Sequence, residues 1–545
     1  MQDNFLIGSK NISILYSESC VKSIDNIGRC IWWFGSCIKN QCPSPEKFIS
    51  LIKSNSLMTL PPPWAAIAKG TDNEGIWICT DIIGLQHLYY YQDQNRIIIS
   101  DSSIEIGKTI GNTKIDAIAL FELMCRGNPQ KGRSILKKID MVANATTIHI
   151  SGDITINQYW KYPEPEICGA AESIDVFAKN VRESIRNQYH DDDVQELTAG
   201  RDSLMLLSAY LAEGIKIKTW THGFKNSPDL MGAKERARIY NVAHQTVALE
   251  PLLEIDGENA LNYLMKFINA TSGNANALEY WHLPWILERV DGKGSISGVG
   301  GEVFRGFYYE WMGKGKIPLF IGKELMLRGK IREHMPFTSK VVRSDLAKVG
   351  SAIIRKDVWE ALNQEECIWE SLDRYYLMNR MQYFAGTTFS GVSRWKKVRL
   401  PLFSTNVIAC LHKIPYESRG WNAGITHSVT EMYLRSINKT IMTPPSYETK
   451  SYRIAKLIGR FKQLEGTFFS TNQETLIRKI LKTETIKNLL EYKTLKIGPI
   501  LNKNHYNIMK ERVYSGGRIP IYWGAIITAE LIAHELGSDY AGIEI

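Results

Sequence analysis

The sequence predicts an α/β protein in two parts. These are a sandwich of β-sheets flanked by helices over residues 1–165, and a doubly wound parallel sheet with a helical C-terminal region over residues 166–545. Short apolar runs bounded by Gly, Asn, Asp and Pro dominate the first part, which is typical of strands. In the second part, apolar strands alternate with segments of helical periodicity, which indicates a parallel sheet. The dividing stretch, Pro163-Glu164-Pro165, is typical of a linker.

The first part is expected to consist of strands with a few helices between them. Strands are predicted at 12–16, 31–34, 65–68, 76–80, 96–100 and 145–150, and a helix at 117–125. Pro61-Pro62-Pro63 breaks the chain before the third of these strands. Two sheets packed face to face, with helices outside them, accommodate this order.

The second part repeats the order strand, loop, helix. Apolar spacing predicts helices at 173–189, 233–243, 373–383 and 425–437, and strands at 194–197 and 215–223. Ligands of doubly wound sheets bind at the carboxyl ends of the strands. We therefore expect the loops after Leu197 and Trp220 to face the same crevice.

Composition excludes several classes of protein. The chain of 545 residues is 44% hydrophobic and 23% charged, as in ordinary globular proteins. It has no apolar run long enough to span a membrane and no signal-peptide pattern after Met1, so we expect a cytoplasmic protein without a membrane partner. The net charge of +9 is spread along the chain, which is weak evidence for nucleic acid, and no nucleic-acid partner is expected. The nine cysteines are expected to be reduced thiols.

The segment that follows the strand at 194–197 carries the strongest functional signal. Its small residues let backbone N–H groups approach an anion closely, and the helix that follows adds partial positive charge at its N-terminus. Asp202 lies where a metal-bound phosphate needs a carboxylate. The nucleotide-binding residues predicted here are Leu197, Thr198, Ala199, Gly200, Arg201, Asp202 and Ser203. An ordinary strand–turn–helix with an Asp near the helix start is the equally weighted alternative.

A glycine-rich turn at 294–308 carries the second signal. A strand leads into Ser297-Gly298, further glycines, the carboxylate Glu302 and an aromatic pair. Taken alone, this segment is equally well interpreted as a tight turn packed against the sheet.

These motifs, in this order, resemble those of the asparagine synthetase family. The loop at 198–203 resembles a degenerate form of the family's Ser-Gly-Gly-x-Asp-Ser loop, and 297–308 resembles its second glycine-rich motif. Residues 81–91 and 158–160 resemble segments of its glutaminase domain. The resemblance implies an Ntn-type αββα glutaminase-like domain over 1–165. It also implies an ATP-pyrophosphatase (adenine nucleotide α-hydrolase-like) domain that adenylates a substrate over 166–545.

Two departures from the family pattern change what the resemblance implies. An active glutaminase of this type uses an N-terminal cysteine as nucleophile, but Gln2 follows the initiator Met here. We therefore expect the first domain to be a catalytically silent scaffold. Val299 stands where asparagine synthetases have Glu and β-lactam synthetases have Tyr, so the acid–base group is left unassigned.

The resemblance also implies roles for individual residues. Asp202 and Glu302 are expected to hold Mg²⁺ beside ATP, and the backbone at Ser297 and Gly298 is expected to contact the nucleotide. His222 would lie near adenine, as a packed residue rather than an acid or base. Lys450 is the candidate for stabilising charge on the adenylate, with a solvated loop lysine as the alternative.

The implied activity is that of an ATP-dependent, AMP- and pyrophosphate-forming carbon–nitrogen ligase. With ammonia production absent, the amine must come from a substrate, as in the family's β-lactam synthetases and lasso-peptide cyclases. The implied partners are ATP and a substrate bearing a carboxylate and an amine, for example a precursor peptide that is processed with its protease. The alternatives are an asparagine synthetase that uses free ammonia, and a non-catalytic scaffold with an eroded ATP site.

Overall fold

A computed structural model describes residues 1–545 except 8, 38–41, 72–73, 112, 165, 310–334, 363–367, 420–423, 442–470 and 538–545. The described residues form three β-sheets surrounded by helices, one of the sheets being parallel, which confirms the α/β class. No helix in these ranges is both long enough and apolar enough to cross a membrane.

The first part contains two sheets. The strands are β1 Gln2–Ile7, β2 Lys10–Leu15, β3 Val21–Ile24, β4 Cys30–Gly35, β5 Trp64–Lys69, β6 Ile76–Thr80, β7 Tyr89–Gln92, β8 Arg96–Ser100, β9 Asp140–Met141, β10 Thr146–Ile150 and β11 Ile154–Gln158. One sheet has the order β1-β2-β8-β7-β9 and the other β11-β10-β6-β5-β4-β3. All six strands predicted from the apolar runs of this part are present.

An apolar core joins the two sheets. It is made of alternate residues of the strands, among them Ile97 and Ile99 of β8 and Trp32 and Phe34 of β4. Because successive side chains of a strand point to opposite faces, the residues between them face the other way, toward helices. The first part is therefore a sandwich of two sheets, as predicted.

Helices cover the outer faces of the sandwich. They are α1 Pro45–Lys53, α2 Ser103–Ile110 and α3 Ala117–Arg126. Phe48 of α1 packs edge-on against Trp33 and Trp64, whose rings stack with their centroids 5.3 Å apart. Asp116 caps α3 by accepting a hydrogen bond from Ala119 N–H, which explains where that helix begins.

The second part is built on a parallel sheet of five strands. They are β12 Asp193–Glu196, β13 Lys218–Gly223, β14 His244–Ala248, β15 Gly294–Ile296 and β16 Lys397–Arg399. Their spatial order is β14-β13-β12-β15-β16, and every neighbouring pair is parallel. The order of the strands reverses between β12 and β15, which is where doubly wound sheets open a crevice for ligands.

Helices pack on both faces of this sheet. In chain order the helices are α4 Ala170–Gln188, α5 Arg201–Ala212, α6 Pro228–Tyr240, α7 Gly257–Ala270, α8 Ala277–Tyr280, α9 Leu283–Leu287, α10 Met335–Val341, α11 Ser344–Leu362, α12 Ile368–Tyr375, α13 Gly386–Val392, α14 Thr405–Cys410, α15 Ile425–Ser436, α16 Thr471–Leu481, α17 Glu484–Leu489, α18 Lys503–Tyr514 and α19 Tyr522–Glu535. α4, α5 and α15 pack together on one side, and α7, α9 and α13 on the other.

The two parts share one buried core. Gln86 donates a hydrogen bond to Ser390 Oγ at 2.9 Å, and Ile135 N–H donates to Asn274 Oδ1 at 2.7 Å. α19 is buried along most of its length and packs against α3 of the first part and α8 of the second. A single apolar cluster therefore runs from the outer faces of the sandwich into the parallel sheet.

Four expectations differ from the structure. The helix predicted at 373–383 is α12 followed by a π-helix, Tyr376–Ala385, whose wider turn apolar spacing alone does not distinguish. The strand predicted at 215–223 begins at Lys218, and the helix predicted from 233 begins at Pro228, where Ser227 provides the cap. Cys37 and Cys42 form a disulfide, so these two are not reduced thiols.

Candidate functional site

Two loops meet at the point where the strand order of the parallel sheet reverses. One follows β12 and leads into α5, and the other follows β15. Both leave the carboxyl ends of adjacent strands, because Val194 pairs with Ser295 in the sheet. The parallel register alone therefore brings segments about 100 residues apart in sequence side by side.

The first loop is held by its own polar side chains. Thr198 N–H donates to Ser203 Oγ at 3.2 Å, and Gly200 N–H donates to Thr198 Oγ1 at 3.0 Å. Gly200 is the N-cap of α5 and has no side chain to satisfy the first N–H groups of the helix. A helix that begins without a side-chain cap leaves its N–H groups and partial positive charge for an anion.

Asp202, in the first turn of α5, has two carboxylate oxygens in different situations. Its Oδ2 accepts a hydrogen bond from Arg305 Nη2 at 2.8 Å. Its Oδ1 is buried and has no hydrogen-bond partner among the described residues. Burial raises the pKa of Asp202 to about 6, with Arg305 lowering it and the Glu302 carboxylate raising it. Asp202 and Glu302 therefore lie near enough to interact electrostatically, and their role in holding a metal stays a prediction.

Glycines of the second loop make this approach possible. A Cβ at Gly301 would lie 2.4 Å from Asp202 Cγ, and a Cβ at Gly298 would lie 2.9 Å from Ser203 N. Neither separation is sterically allowed, so only glycine lets the second loop lie against the start of α5. Gly300 has φ of +100°, a backbone conformation that other residues rarely adopt.

Glu302 lies at the boundary between these loops and a cavity. Its Oε2 accepts a hydrogen bond from Gly300 N–H at 3.1 Å, which orients the carboxylate. Burial, and then the Glu302 charge, raise the pKa of the Tyr376 hydroxyl well above its ordinary value. Glu302 also lines the cavity, so this carboxylate lies both near Asp202 and at the edge of the cavity.

Two arginines of the site were not predicted. Arg236 of α6 donates from Nη1 to the carbonyl oxygens of Thr198 at 2.8 Å and Gly200 at 2.5 Å, which fixes the loop from outside. Arg305 lies three residues after Glu302 and pairs with Asp202. The signal that could have identified Arg305 is its position in the glycine-rich turn, close to Glu302. Arg236 carried no local signal, because its partners are backbone atoms distant in sequence.

The cavity lies on one face of the parallel sheet and has a volume of about 460 Å³. Strand residues on its wall recur with a period of two, for example Trp220 and His222 of β13. Gln195 faces the opposite side, where its Nε2 donates to Ser203 O at 2.6 Å. Its neighbour Glu196 therefore faces the cavity, toward α9.

Other predicted site residues have mainly supporting positions. Leu197 is fully buried and its N–H donates to Trp220 O at 2.8 Å, while Ala199 is 4% exposed. Ser297 N–H donates to Arg399 O at 3.0 Å, and the Ser297 side chain lines the cavity. Arg201 is the first residue of α5 and lowers the pKa of the neighbouring Asp202.

His222 and Lys450 complete the predicted residues. The His222 ring stacks on Trp220, with centroids 5.7 Å apart, and burial lowers its pKa to about 4, so it is neutral at physiological pH. This agrees with a packed residue rather than an acid or base. Lys450 lies outside the described residues.

Comparison with known proteins adds no further assignment. No protein-family model matches the chain, and no curated protein sequence matches it.

Proposed function

We propose that this protein is an ATP-dependent, AMP- and pyrophosphate-forming ligase that joins a substrate carboxylate to a substrate amine. In this proposal the loop at 198–203 and the N-terminus of α5 bind the phosphates, and the loop at 297–302 closes the other side. The substrate is a peptide that carries both groups, as in the lasso-peptide cyclases of the family that the motifs resemble. The glutaminase-like first part acts as a scaffold.

One observation carries the proposal: the juxtaposition of Asp202 and Glu302 at the reversal point of the strand order. Most carboxylates that approach each other in a protein interior raise each other's pKa and cost stability. Here Gly301 lets the second loop lie against Asp202, and Glu302, the next residue of that loop, is close enough to act on the pKa of Asp202. A pair of carboxylates beside an uncapped helix N-terminus is the arrangement needed by a nucleotide with its cation.

The donor set fits Mg²⁺. The unpartnered Asp202 Oδ1 and the Glu302 carboxylate are hard oxygen ligands of the kind that Mg²⁺ prefers, together with phosphate oxygens and water. Among the described residues no group of three or more His, Cys, Asp or Glu side chains could hold a metal ion. Such a two-carboxylate set is typical of an ion that enters with its nucleotide. When bound, the ion would neutralise charge on the leaving pyrophosphate.

A specific observation supports the rival function, a non-catalytic scaffold. Arg305 already pairs with Asp202 Oδ2, so the charge of this carboxylate is offset without any cation. The scaffold alternative predicts that ATP with Mg²⁺ does not bind at all. Calorimetry with ATP and MgCl₂ separates the two functions before any substrate is known.

The test of the ligase uses the products of ATP cleavage. The protein is incubated with labelled ATP, MgCl₂, hydroxylamine as a general amine, and a panel of amino acids and of peptides containing Asp or Glu. The proposal predicts AMP and pyrophosphate in equal amounts with at least one acid. ADP with phosphate as products, or no cleavage with any acid, contradicts it. Asparagine formed from aspartate and ammonium chloride would instead identify an asparagine synthetase.

Asp202→Asn is the matched test of the site. The variant keeps the size of the side chain and an oxygen for Arg305 but removes the charge. We expect AMP formation to fall by about 100-fold or more. Asp192→Asn, at an exposed carboxylate paired with Lys293 in the same part of the chain, is the control and should keep wild-type activity.

A further inference from the structure

The cavity beside the two loops contains polar groups that the protein leaves without partners. Trp220 is 3% exposed, and its Nε1–H has no hydrogen-bond acceptor within the described ranges. The buried His222 Nδ1 has no partner there either. The Glu196 carboxylate, on the strand that pairs with Trp220, makes no hydrogen bond or ion pair with any described residue. Buried polar atoms are nearly always paired, so the Trp220 Nε1–H and His222 Nδ1 atoms, in one wall with the partly buried Glu196 carboxylate, indicate a ligand site.

Within the described part of the chain, no positive charge acts on Glu196. Asp229 is the charged group whose field reaches Glu196, and it disfavours ionisation. His222 and His282 line the same cavity, but burial lowers their pKa values to about 4 and about 3, so both are neutral. Burial raises the pKa of Glu196 to about 7. A bound cation would supply the positive charge that the described residues around this carboxylate do not provide.

Farther along the cavity, one carboxylate has a positive charge beside it. Glu279 lines it, and the positive charge of Arg380 partly offsets the effect of burial on the Glu279 pKa. The Arg380 guanidinium lies over the rings of Phe307 and Phe384, at 5.1 and 4.7 Å from their centroids. Arg380 is thus positioned near Glu279, whereas Glu196 has no counter-ion among the residues that the structure describes.

The remaining wall is aromatic and aliphatic. Trp220, Tyr280, Phe384 and Phe389 line the cavity together with Leu283. Aromatic faces attract organic cations, and a carboxylate beside them supplies the opposite charge. The volume of about 460 Å³ falls within the range of small-molecule pockets, roughly 300–1,000 Å³.

We propose that this cavity binds a primary organic ammonium, with Glu196 as its counter-ion and the aromatic side chains around its organic group. Glu302 lines the same cavity, which places the ammonium next to the candidate nucleotide loops. The proposal rests on the proposed function only in assigning this ammonium to the amine substrate of the ligase. An adenine ring is the competing occupant, because it also carries donors and acceptors, but it has no charge to offset the carboxylate.

Binding of benzylamine to the full-length protein tests the site. Benzylamine is protonated at about pH 8, and benzyl alcohol has nearly the same shape without the charge. By calorimetry, we expect benzylamine to bind at least about tenfold more tightly than benzyl alcohol. Gly-Gly-Phe amide, with a free or an acetylated N-terminus, is the second pair of probes. It distinguishes a peptide N-terminus from a free amine as the source of the ammonium.

Glu196→Gln is the decisive variant, because it keeps the shape of the side chain. We expect it to weaken benzylamine binding by about tenfold or more and to leave benzyl alcohol binding unchanged. Glu254→Gln, at an exposed carboxylate of the same part, is the control and should bind both probes like the wild type. A second measurement needs no variant: benzylamine affinity of the wild type should rise as the pH increases through about 7, where Glu196 ionises.

Several outcomes would overturn the ammonium site. They are equal affinity for benzylamine and benzyl alcohol, no binding of any ammonium probe, and a Glu196→Gln variant that loses adenosine binding but keeps benzylamine binding. The last outcome would assign the cavity to a nucleobase. Failure of the ligase is distinguishable, since it would appear as absent AMP formation while benzylamine still binds through Glu196.

Discussion

Asp202 and Gly301 depend on each other at the scale of single residues. The second loop approaches Asp202 so closely that one methyl group at Gly301 would overlap its carboxylate. The two loops are therefore a matched pair, and the glycine is as necessary as the acid. A residue chosen for its lack of a side chain gives no chemical signal in a sequence, which is why the glycine-rich turn alone was equally compatible with simple packing.

Gly301→Ala is expected to separate the loops. The added Cβ would lie 2.4 Å from Asp202 Cγ, so the loop must move or the protein must lose about 1–3 kcal/mol of stability. Binding of ATP with Mg²⁺, measured by calorimetry, should weaken in either case. Gly169→Ala is the control, because a Cβ there meets no atom within 4 Å. Unchanged ATP binding in Gly301→Ala would show that the close approach is irrelevant to the nucleotide.

Glu196 predicts a pH dependence of stability. Burial raises its pKa from 4.5 to about 7, so between these values the folded protein holds a proton that the unfolded chain has released. The free energy of unfolding therefore falls as the pH rises from 4.5 to 7. In urea denaturation, Glu196→Gln should be more stable than the wild type by roughly 1–3 kcal/mol at about pH 8 and about equally stable near pH 4. A difference that does not change with pH would contradict this assignment.

At the scale of elements, the parallel sheet positions the site. The strand order β14-β13-β12-β15-β16 makes β12 and β15 neighbours, and both candidate loops leave their carboxyl ends. Alternating strands and helices in the sequence predicted such a sheet, and the loop singled out as nucleotide-binding follows β12. The cavity was not predicted, because it needs the register of three strands and the position of α9 together. A charged residue, Glu196, at the end of a buried strand was the one local sign of it.

The last helix provides a test of packing between elements. Ile532 of α19 is fully buried and lies against Gly273, whereas Ile508 of α18 is 63% exposed. Ile532→Ala should cost about 2–5 kcal/mol of stability, and Ile508→Ala less than about 0.5 kcal/mol. Urea denaturation followed by tryptophan fluorescence measures both. Similar losses in the two variants would mean that α19 does not pack as described.

At the scale of the whole molecule, the two parts behave as one body of packed side chains. The Pro163-Glu164-Pro165 stretch predicted a boundary near residue 165 but not the extent of the contact between the two parts. Arg126 of α3 donates a hydrogen bond to the Tyr375 hydroxyl, and Arg133 pairs with Asp357 at 2.6 Å. Contacts between residues this far apart depend on the final arrangement of both parts, and no local pattern encodes them.

This shared core predicts how fragments behave. Residues 1–165 and 166–545, expressed separately, should each expose apolar surface that the other part covers, and each should aggregate or bind a hydrophobic dye. Expressed together, the fragments should co-purify as one complex by size-exclusion chromatography. Two fragments that are each monomeric and cooperatively folded would contradict the single core.

The position of α19 also has a consequence for synthesis of the chain. The surface of α3, which ends at Arg126, is completed by a helix that begins at Tyr522, so roughly 400 residues separate the two. At translation rates of about 5–20 residues per second, that surface stays uncovered for roughly 20–80 s on the ribosome. The nascent protein thus presents a long-lived apolar patch, and chaperone depletion should lower its soluble yield.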